Sequence, residues 1–254
     1  MSDQTILITG GTGNVGARYV EFFLRKGWKV LFTTRSSLKK KKLENKFIDY
    51  RKKLKGYKID LLKKNALKSL LTKIKKDKFY INHLVNSARS IDFLKVDKKT
   101  GMTSRENFLN EYLLNVFIPY ELSFEIFNSN KKTLKTITNI GSQYGIVGSN
   151  PKLYKNKYAD YPIHYGVAKS GLIHLTKELA IRFSRSKVRV NCLALGGIEG
   201  RATNKFKKRY ANLTPMRRML KLNDIVKPLE MIIDSDSKAI NGQTIVADGG
   251  WTLW

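Results

Sequence analysis

The chain is most restricted near its start. There the apolar run Thr5-Ile6-Leu7-Ile8-Thr9 meets Gly10-Gly11-Thr12-Gly13-Asn14-Val15-Gly16 and passes without interruption into an amphipathic stretch, 15–26. Gly11, Gly13 and Gly16 fit a G-x-G-x-x-G spacing, and Gly10, Gly13 and Gly16 frame the same run. Such a turn needs a residue at positive φ, a backbone bare enough for a pyrophosphate to approach, and a helix start that packs tightly on its strand. The spacing alone is common; the strand before it and the helix after it give it weight. Gly10, Thr12, Gly13, Asn14, Val15 and Gly16 are therefore candidate contacts to a dinucleotide.

The rest of the chain continues the alternation. Short apolar runs at 5–9, 29–34, 56–60, 83–86, 133–140, 189–194 and 244–247 read as strands. Stretches with apolar residues recurring at three and four, 15–26, 64–75, 105–128 and 166–184, read as helices. Right-handed crossovers between such elements give an α/β fold: a Rossmann-type doubly wound parallel sheet with helices on both faces, in a single domain over residues 1–254. Segments 90–104, 146–162 and 196–215 escape the pattern and read as substrate loops at the carboxyl edge of the sheet.

Composition limits the chemistry. A chain of 254 residues buries roughly 70–75% of the surface its unfolded form exposes, so it needs no staple. The single Cys192 forms no internal disulfide, and His83, His164 and His174 stand outside any Cys/His cluster, so no metal site is expected. No secretory leader precedes the first strand and no apolar window is long enough to span a bilayer; a cytoplasmic protein without membrane contact is the expectation. Lys and Arg number 49 against 20 Asp and Glu, a net charge of +29. That charge attracts anionic substrates and, in principle, nucleic acid. The excess is mostly scattered Lys without interleaved Arg and aromatic residues, so solvated surface lysine is the plainer reading and no nucleic-acid partner is expected.

Two local features carry chemistry. The second strand ends Thr33-Thr34-Arg35-Ser36 with no carboxylate to accept from ribose hydroxyls. Arg35 is instead placed for a 2′-phosphate, which favours NADP(H) over NAD(H), although an exposed strand-end arginine would look the same. Further on, Tyr165-Gly166-Val167-Ala168-Lys169 sets a phenol and an ammonium one helical turn apart. A neighbouring cation favours phenolate and suits the phenol to proton transfer near neutrality.

With Ser142 at the end of Thr136-Ile137-Thr138-Asn139-Ile140-Gly141-Ser142, and Asn115 within a long helix, the chain resembles the short-chain dehydrogenase/reductase family over nearly its whole length. The resemblance implies a catalytic tetrad of Asn115, Ser142, Tyr165 and Lys169. It also implies cofactor contacts from Asp60 and Leu61 after the third strand, from Asn86-Ser87-Ala88, from Gly196 and Ile198, from Tyr165, and from Lys169 to the nicotinamide ribose. Val190-Asn191-Cys192, Asn241-Gly242-Gln243 and Asp248-Gly249-Gly250 match further family segments. The departures are Asn14 and Arg89, each where a glycine is usual, Leu195 for a proline, and Gly200 about where a threonine is common. The stretch between Ser142 and Tyr165 is longer than in many members. That insertion and the ending Trp251-Thr252-Leu253-Trp254 resemble the subgroup found with flagellin-glycosylation and surface-polysaccharide genes. The implied reaction is NADP(H)-dependent interconversion of a ketone and a secondary alcohol by a homodimer or homotetramer. A modified or nucleotide-linked sugar would be the small-molecule substrate, and Arg89, Lys152, Lys155 and Lys157 would suit an anionic one. A 3-oxoacyl thioester reductase and a non-catalytic NADP(H)-binding protein are the alternatives.

Overall fold

Seven strands pair in parallel: β1 (Thr5–Ile8), β2 (Lys29–Thr34), β3 (Leu54–Lys58), β4 (His83–Asn86), β5 (Thr136–Ser142), β6 (Arg189–Leu195) and β7 (Thr244–Ala247). The structure, a computed structural model, describes residues 4–155, 161–200 and 202–253. Across the sheet the order is β3-β2-β1-β4-β5-β6-β7. The winding reverses between β1 and β4, where Leu7 lies opposite both Leu31 and Leu84, and that reversal opens a crevice at the carboxyl ends of the strands. The helices are α1 (Asn14–Arg25), α2 (Ser37–Lys46), α3 (Ala66–Lys76), α4 (Arg105–Tyr112), α5 (Ile118–Ser129), α6 (Ile163–Arg182), α7 (Asn204–Asn212) and α8 (Val226–Ile233).

Both faces of the sheet are buried, and the two-residue period of each strand divides the core. Ile6, Ile8, Val30 and Phe32 pack with Tyr19, Phe23 and Leu24 of α1 and with Leu229 and Ile232 of α8. Leu7, Leu31, Leu84, Ile137 and Val190 point the other way, onto Leu70 of α3, Leu122 and Ile126 of α5 and Leu179 of α6. Each such side chain contributes about 1.5–3 kcal/mol on leaving water, so the doubly wound arrangement follows from the runs of apolar residues in the strands.

Several element boundaries differ from the sequence reading. The third strand begins at Leu54, and the fifth ends at Ser142, which places that hydroxyl at the rim of the crevice. α6 begins at Ile163, so Tyr165 lies in its first turn. The helix expected over 105–128 is interrupted by a π turn, Leu113–Phe117. Ile118 N–H reaches back to the carbonyl of Leu113 rather than Leu114, and Pro119, which has no N–H to offer the carbonyl of Asn115, follows directly. α2, α7 and α8 were not read from the sequence, and α7 lies inside the segment read as a loop over 196–215.

Candidate active site

The crevice is a cleft of about 1080 Å³ built from the loops that follow the strands. Two glycines fix its floor. Gly10 has φ +68°, and a Cβ there would lie 2.8 Å from the Cα of Ala88. A Cβ on Gly16 would lie 2.4 Å from the carbonyl oxygen of Gly10, so the first turn of α1 packs onto the loop only with glycine. Thr9 Oγ1 accepts from the N–H groups of Ser87 and Ala88 at 2.9 and 3.0 Å, stitching the loops after β1 and β4 together. Gly13 caps α1 without a side chain, and no acidic residue occupies the first turn. The helix therefore begins with free N–H groups and a positive dipole end, a cradle that fits the pyrophosphate of a dinucleotide.

Gly10, Thr12, Gly13, Asn14, Val15, Gly16, Arg35, Asp60, Leu61, Ser87, Ala88, Gly196 and Ile198 all line this cleft, together with Ser142, Tyr165 and Lys169. Asn86 and Asn115 do not. They border a small adjoining cavity of about 10 Å³, shared with Thr9 and Lys169, whose size suits one water. The Asn86 amide donates to Asn139 Oδ1 at 2.8 Å and so joins β4 to β5. Arg35 projects from the end of β2 as expected, yet it meets a carboxylate that the sequence of β2 does not contain. Its Nη2 donates to Asp92 Oδ2 at 3.1 Å and to Ser90 Oγ at 3.2 Å, and Ser90 Oγ donates to Asp92 at 2.7 Å. The Ser90 and Arg35 hydrogen bonds hold the Asp92 carboxyl below its usual range.

Tyr165 and Lys169 share one face of α6, with Lys169 Nζ 5.9 Å from the phenol ring centroid. The ammonium donates to the carbonyl of Ile140 at 2.7 Å. Burial pulls the Lys169 pKa down, and the Tyr165 phenol opposes that shift. Ser142 Oγ accepts from Tyr144 N–H at 3.3 Å, which fixes the hydroxyl at the end of β5. The Arg89 guanidinium lies over the Tyr165 ring at 4.8 Å, so this cation reaches the Tyr165 phenol. Asn115 occupies the π turn behind them, and its Nδ2 donates to the main-chain oxygen and to Oε1 of Glu111, both at 2.9 Å.

Aromatic side chains wall the mouth of the cleft. The Tyr144 and Tyr154 hydroxyls are 3.0 Å apart, and the Tyr161 ring lies 5.2 Å from that of Tyr144. Burial pushes the Tyr154 and Tyr161 phenols up to about 12, so both are neutral near pH 7. Tyr210 of α7 stacks on Trp251 at 4.5 Å. Its hydroxyl accepts from Gly197 N–H and donates to Gln143 Oε1, each at 2.8 Å, fastening the loop after β6 beside Ser142. Asp92, Gln143, Tyr144, Tyr154, Tyr161 and Tyr210 were not singled out from the sequence. Only the tyrosine-rich composition of 146–162 hinted at some of them. Lys152 and Lys155 are exposed and do not line the cleft; Lys157 lies outside the described residues, as do Arg201 and Trp254.

Residues 11–252 match a family model described as enoyl-(acyl carrier protein) reductase. The chain is 27% identical to post-translational flagellin modification protein A of Campylobacter coli, with 100% of both chains covered. It is 28% identical, again over 100% of both chains, to the 3-oxoacyl-(acyl-carrier-protein) reductase FabG of Haemophilus influenzae. Its fold resembles that of a short chain dehydrogenase of Leptospira borgpetersenii solved with bound NAD+. The TM-score is 0.84 at 25% identity, covering 98% of this chain and 93% of that one.

Proposed function

We propose, from the premise that the chain belongs to the short-chain dehydrogenase/reductase family, that this oxidoreductase interconverts a ketone and a secondary alcohol of a modified or nucleotide-linked sugar with NADP(H). The observation that carries the reading is the convergence of Ser142, Tyr165 and Lys169 on the cleft opposite the glycine cradle, with the Arg89 cation beside the phenol. The cofactor, when bound, supplies the hydride. In the reduction direction Tyr165 gives its hydroxyl proton to the developing alkoxide, and Ser142 Oγ donates to the same oxygen and orients the carbonyl. Lys169, anchored on the Ile140 carbonyl, favours the phenolate that results and holds the nicotinamide ribose. Asn115 fixes a water in the cavity that it shares with Lys169, through which the proton is replaced. When the cofactor is bound, Gly10, Gly13 and the start of α1 would hold its pyrophosphate, Asp60 and Leu61 its adenine, and Arg35 its 2′-phosphate.

An aromatic wall with neutral phenols suits a sugar ring, which offers apolar C–H faces and hydroxyls. Arg89 suits a carboxylate or phosphate on it. The likeness to a flagellin modification protein supports the same class of substrate. Reduction of a 3-oxoacyl thioester is the second reading, favoured by the likeness to FabG. NADPH oxidation against keto-sugars, nucleotide-linked keto-sugars and β-ketoacyl thioesters separates the two. Turnover of the thioesters alone would overturn the sugar assignment. Tyr165→Phe should leave NADPH binding near wild type while lowering turnover by about 10² or more; turnover within a few-fold of wild type would remove Tyr165 from the mechanism.

The enzyme acts in the cytoplasm as a homodimer or homotetramer. No described helix is long and apolar enough to cross a membrane. The oligomer is built on the exposed apolar stripe of Leu109, Tyr112, Leu113, Phe117 and Tyr120, beside Ile163 and Val167 of α6.

A further inference from the structure

Glu111 lies on α4, one turn before Asn115, and is 0% exposed. An apolar side chain would fill that position without desolvating a charge, so a carboxyl group there calls for a compensating interaction. The hydrogen bonds supply one. The Asn115 amide meets two acceptors on its Glu111 side, the main-chain oxygen and Oε1, and only an NH2 group satisfies both. The amide is thereby locked with its oxygen turned away from Glu111. Asn115 Oδ1 and Glu111 Oε2 are both buried without a protein hydrogen-bond partner, and Asn115 borders the small cavity that reaches Lys169. Two cations act on the same carboxyl from other elements, Lys169 of α6 and Arg89 of the loop after β4. The ring of His164, also on α6, lies tilted 5.9 Å from that of Phe108, one turn before Glu111, and its Nε2 is engaged by the carbonyl of Phe93.

We propose that Glu111 is a positioning residue for the reaction: its main-chain oxygen and its carboxyl together hold the Asn115 amide with Oδ1 turned away from Glu111, beside the small cavity that reaches Lys169. The proposal rests on the tetrad reading of the site. Burial raises the Glu111 pKa while Lys169 and Arg89 draw it back, and Glu111 in turn raises that of Lys169 against its own desolvation. Where the carboxyl is ionised it opposes proton loss from Lys169. Removing that charge should therefore move the alkaline loss of reductase activity to lower pH.

The test compares Glu111→Leu and Glu111→Gln in the full chain. The pH profile of turnover is followed in each protein, with NADPH binding and Tm measured beside it. Both Glu111 variants should move the alkaline fall of turnover to lower pH by about one unit, the scale of a buried neighbouring charge. Reduction of whichever ketone the wild type accepts should fall by about tenfold or more in Glu111→Leu, with the NADPH Kd unchanged. Glu111→Gln keeps an oxygen for Asn115, so it should recover most of the turnover at neutral pH while retaining the earlier alkaline fall. An unmoved alkaline fall of turnover in both variants would overturn the proposal. Equal loss of turnover, NADPH binding and Tm in the two would also overturn it, since the residue would then only pack. Wild-type turnover by Tyr165→Phe would instead strike the tetrad itself, and this role with it.

Discussion

Arg35 and Asp92 are each more than half exposed, and an ion pair of that kind contributes about 0–1 kcal/mol. It is too weak to keep the guanidinium from a 2′-phosphate, whose doubly charged oxygens match the planar fork better. It still subtracts from the attraction, because Asp92 lines the same cleft and repels the phosphate. Asp92→Asn should raise the preference for NADP(H) by up to about fivefold. Arg35→Asp should turn the preference toward NAD(H). The measurement is the ratio of kcat/KM for the two cofactors. A wild type that already prefers NAD(H), with a ratio indifferent to both substitutions, would mean that Arg35 is only a strand-end residue. The sequence could not supply Asp92 to this account: it lies 57 residues beyond Arg35, in a segment without periodicity, and only the pairing of β1 with both β2 and β4 brings the two together.

At the scale of elements, what was legible depended on whether burial repeats. β2, β4 and β7 match their expected limits, and the regular apolar spacing of α1 and α3 marks them out. α2, by contrast, buries Leu43 alone within SLKKKKLENK, and α7 buries Tyr210 alone, so neither has a stripe to read. α8 does bury Val226, Leu229, Ile232 and Ile233 at helical spacing, but it has only eight residues and carries a proline. The four residues proposed as the tetrad could be picked out because short local motifs mark them. Glu111, Gln143 and the tyrosine wall follow no such motif and are assembled by packing. His83 illustrates a role that composition could not foresee. Its ring joins β4 to β5 through Thr136 Oγ1 at 2.8 Å, reaches Gln4 Oε1 at 3.1 Å and stacks on Trp28. Burial, reinforced by Lys135 and Arg189, lowers its pKa from 6.5 to about 3. The unfolded chain therefore binds a proton below pH 6.5 that the folded chain refuses. Stability from this residue is complete above pH 6.5 and is lost as pH falls toward 3, at about 1.4 kcal/mol per pH unit. Urea midpoints across the acidic range should show a shallower decline for His83→Phe than for wild type, even though the variant starts lower for want of two hydrogen bonds. Parallel declines would place the acid sensitivity elsewhere.

For the whole molecule the question is where a charge of +29 acts. Residues 105–129 contain no lysine in a chain otherwise rich in it, and they carry the exposed stripe of Leu109, Tyr112, Leu113, Phe117 and Tyr120. Close approach of two such chains is opposed by net charge everywhere except on a surface of this kind. Sedimentation at moderate salt should give a dimer or tetramer, and Phe117→Lys should dissociate it; a wild-type monomer would contradict the assignment. The remaining charge is spread over solvated lysines, with Arg89 set apart by its place over Tyr165. Screening acts beyond about 8 Å at 0.15 M salt, so a distributed surface and a cation at the cleft respond differently to ionic strength. With NADPH saturating, kcat/KM for a phosphate- or carboxylate-bearing ketone should fall with added salt more steeply than for its neutral analogue. Arg89→Ala should abolish most of that difference. Lys152→Ala should leave it intact, because Lys152 does not border the cleft. Equal salt slopes for the charged and neutral substrates would mean that the lysine excess plays no part in substrate capture and that Arg89 serves the phenol alone.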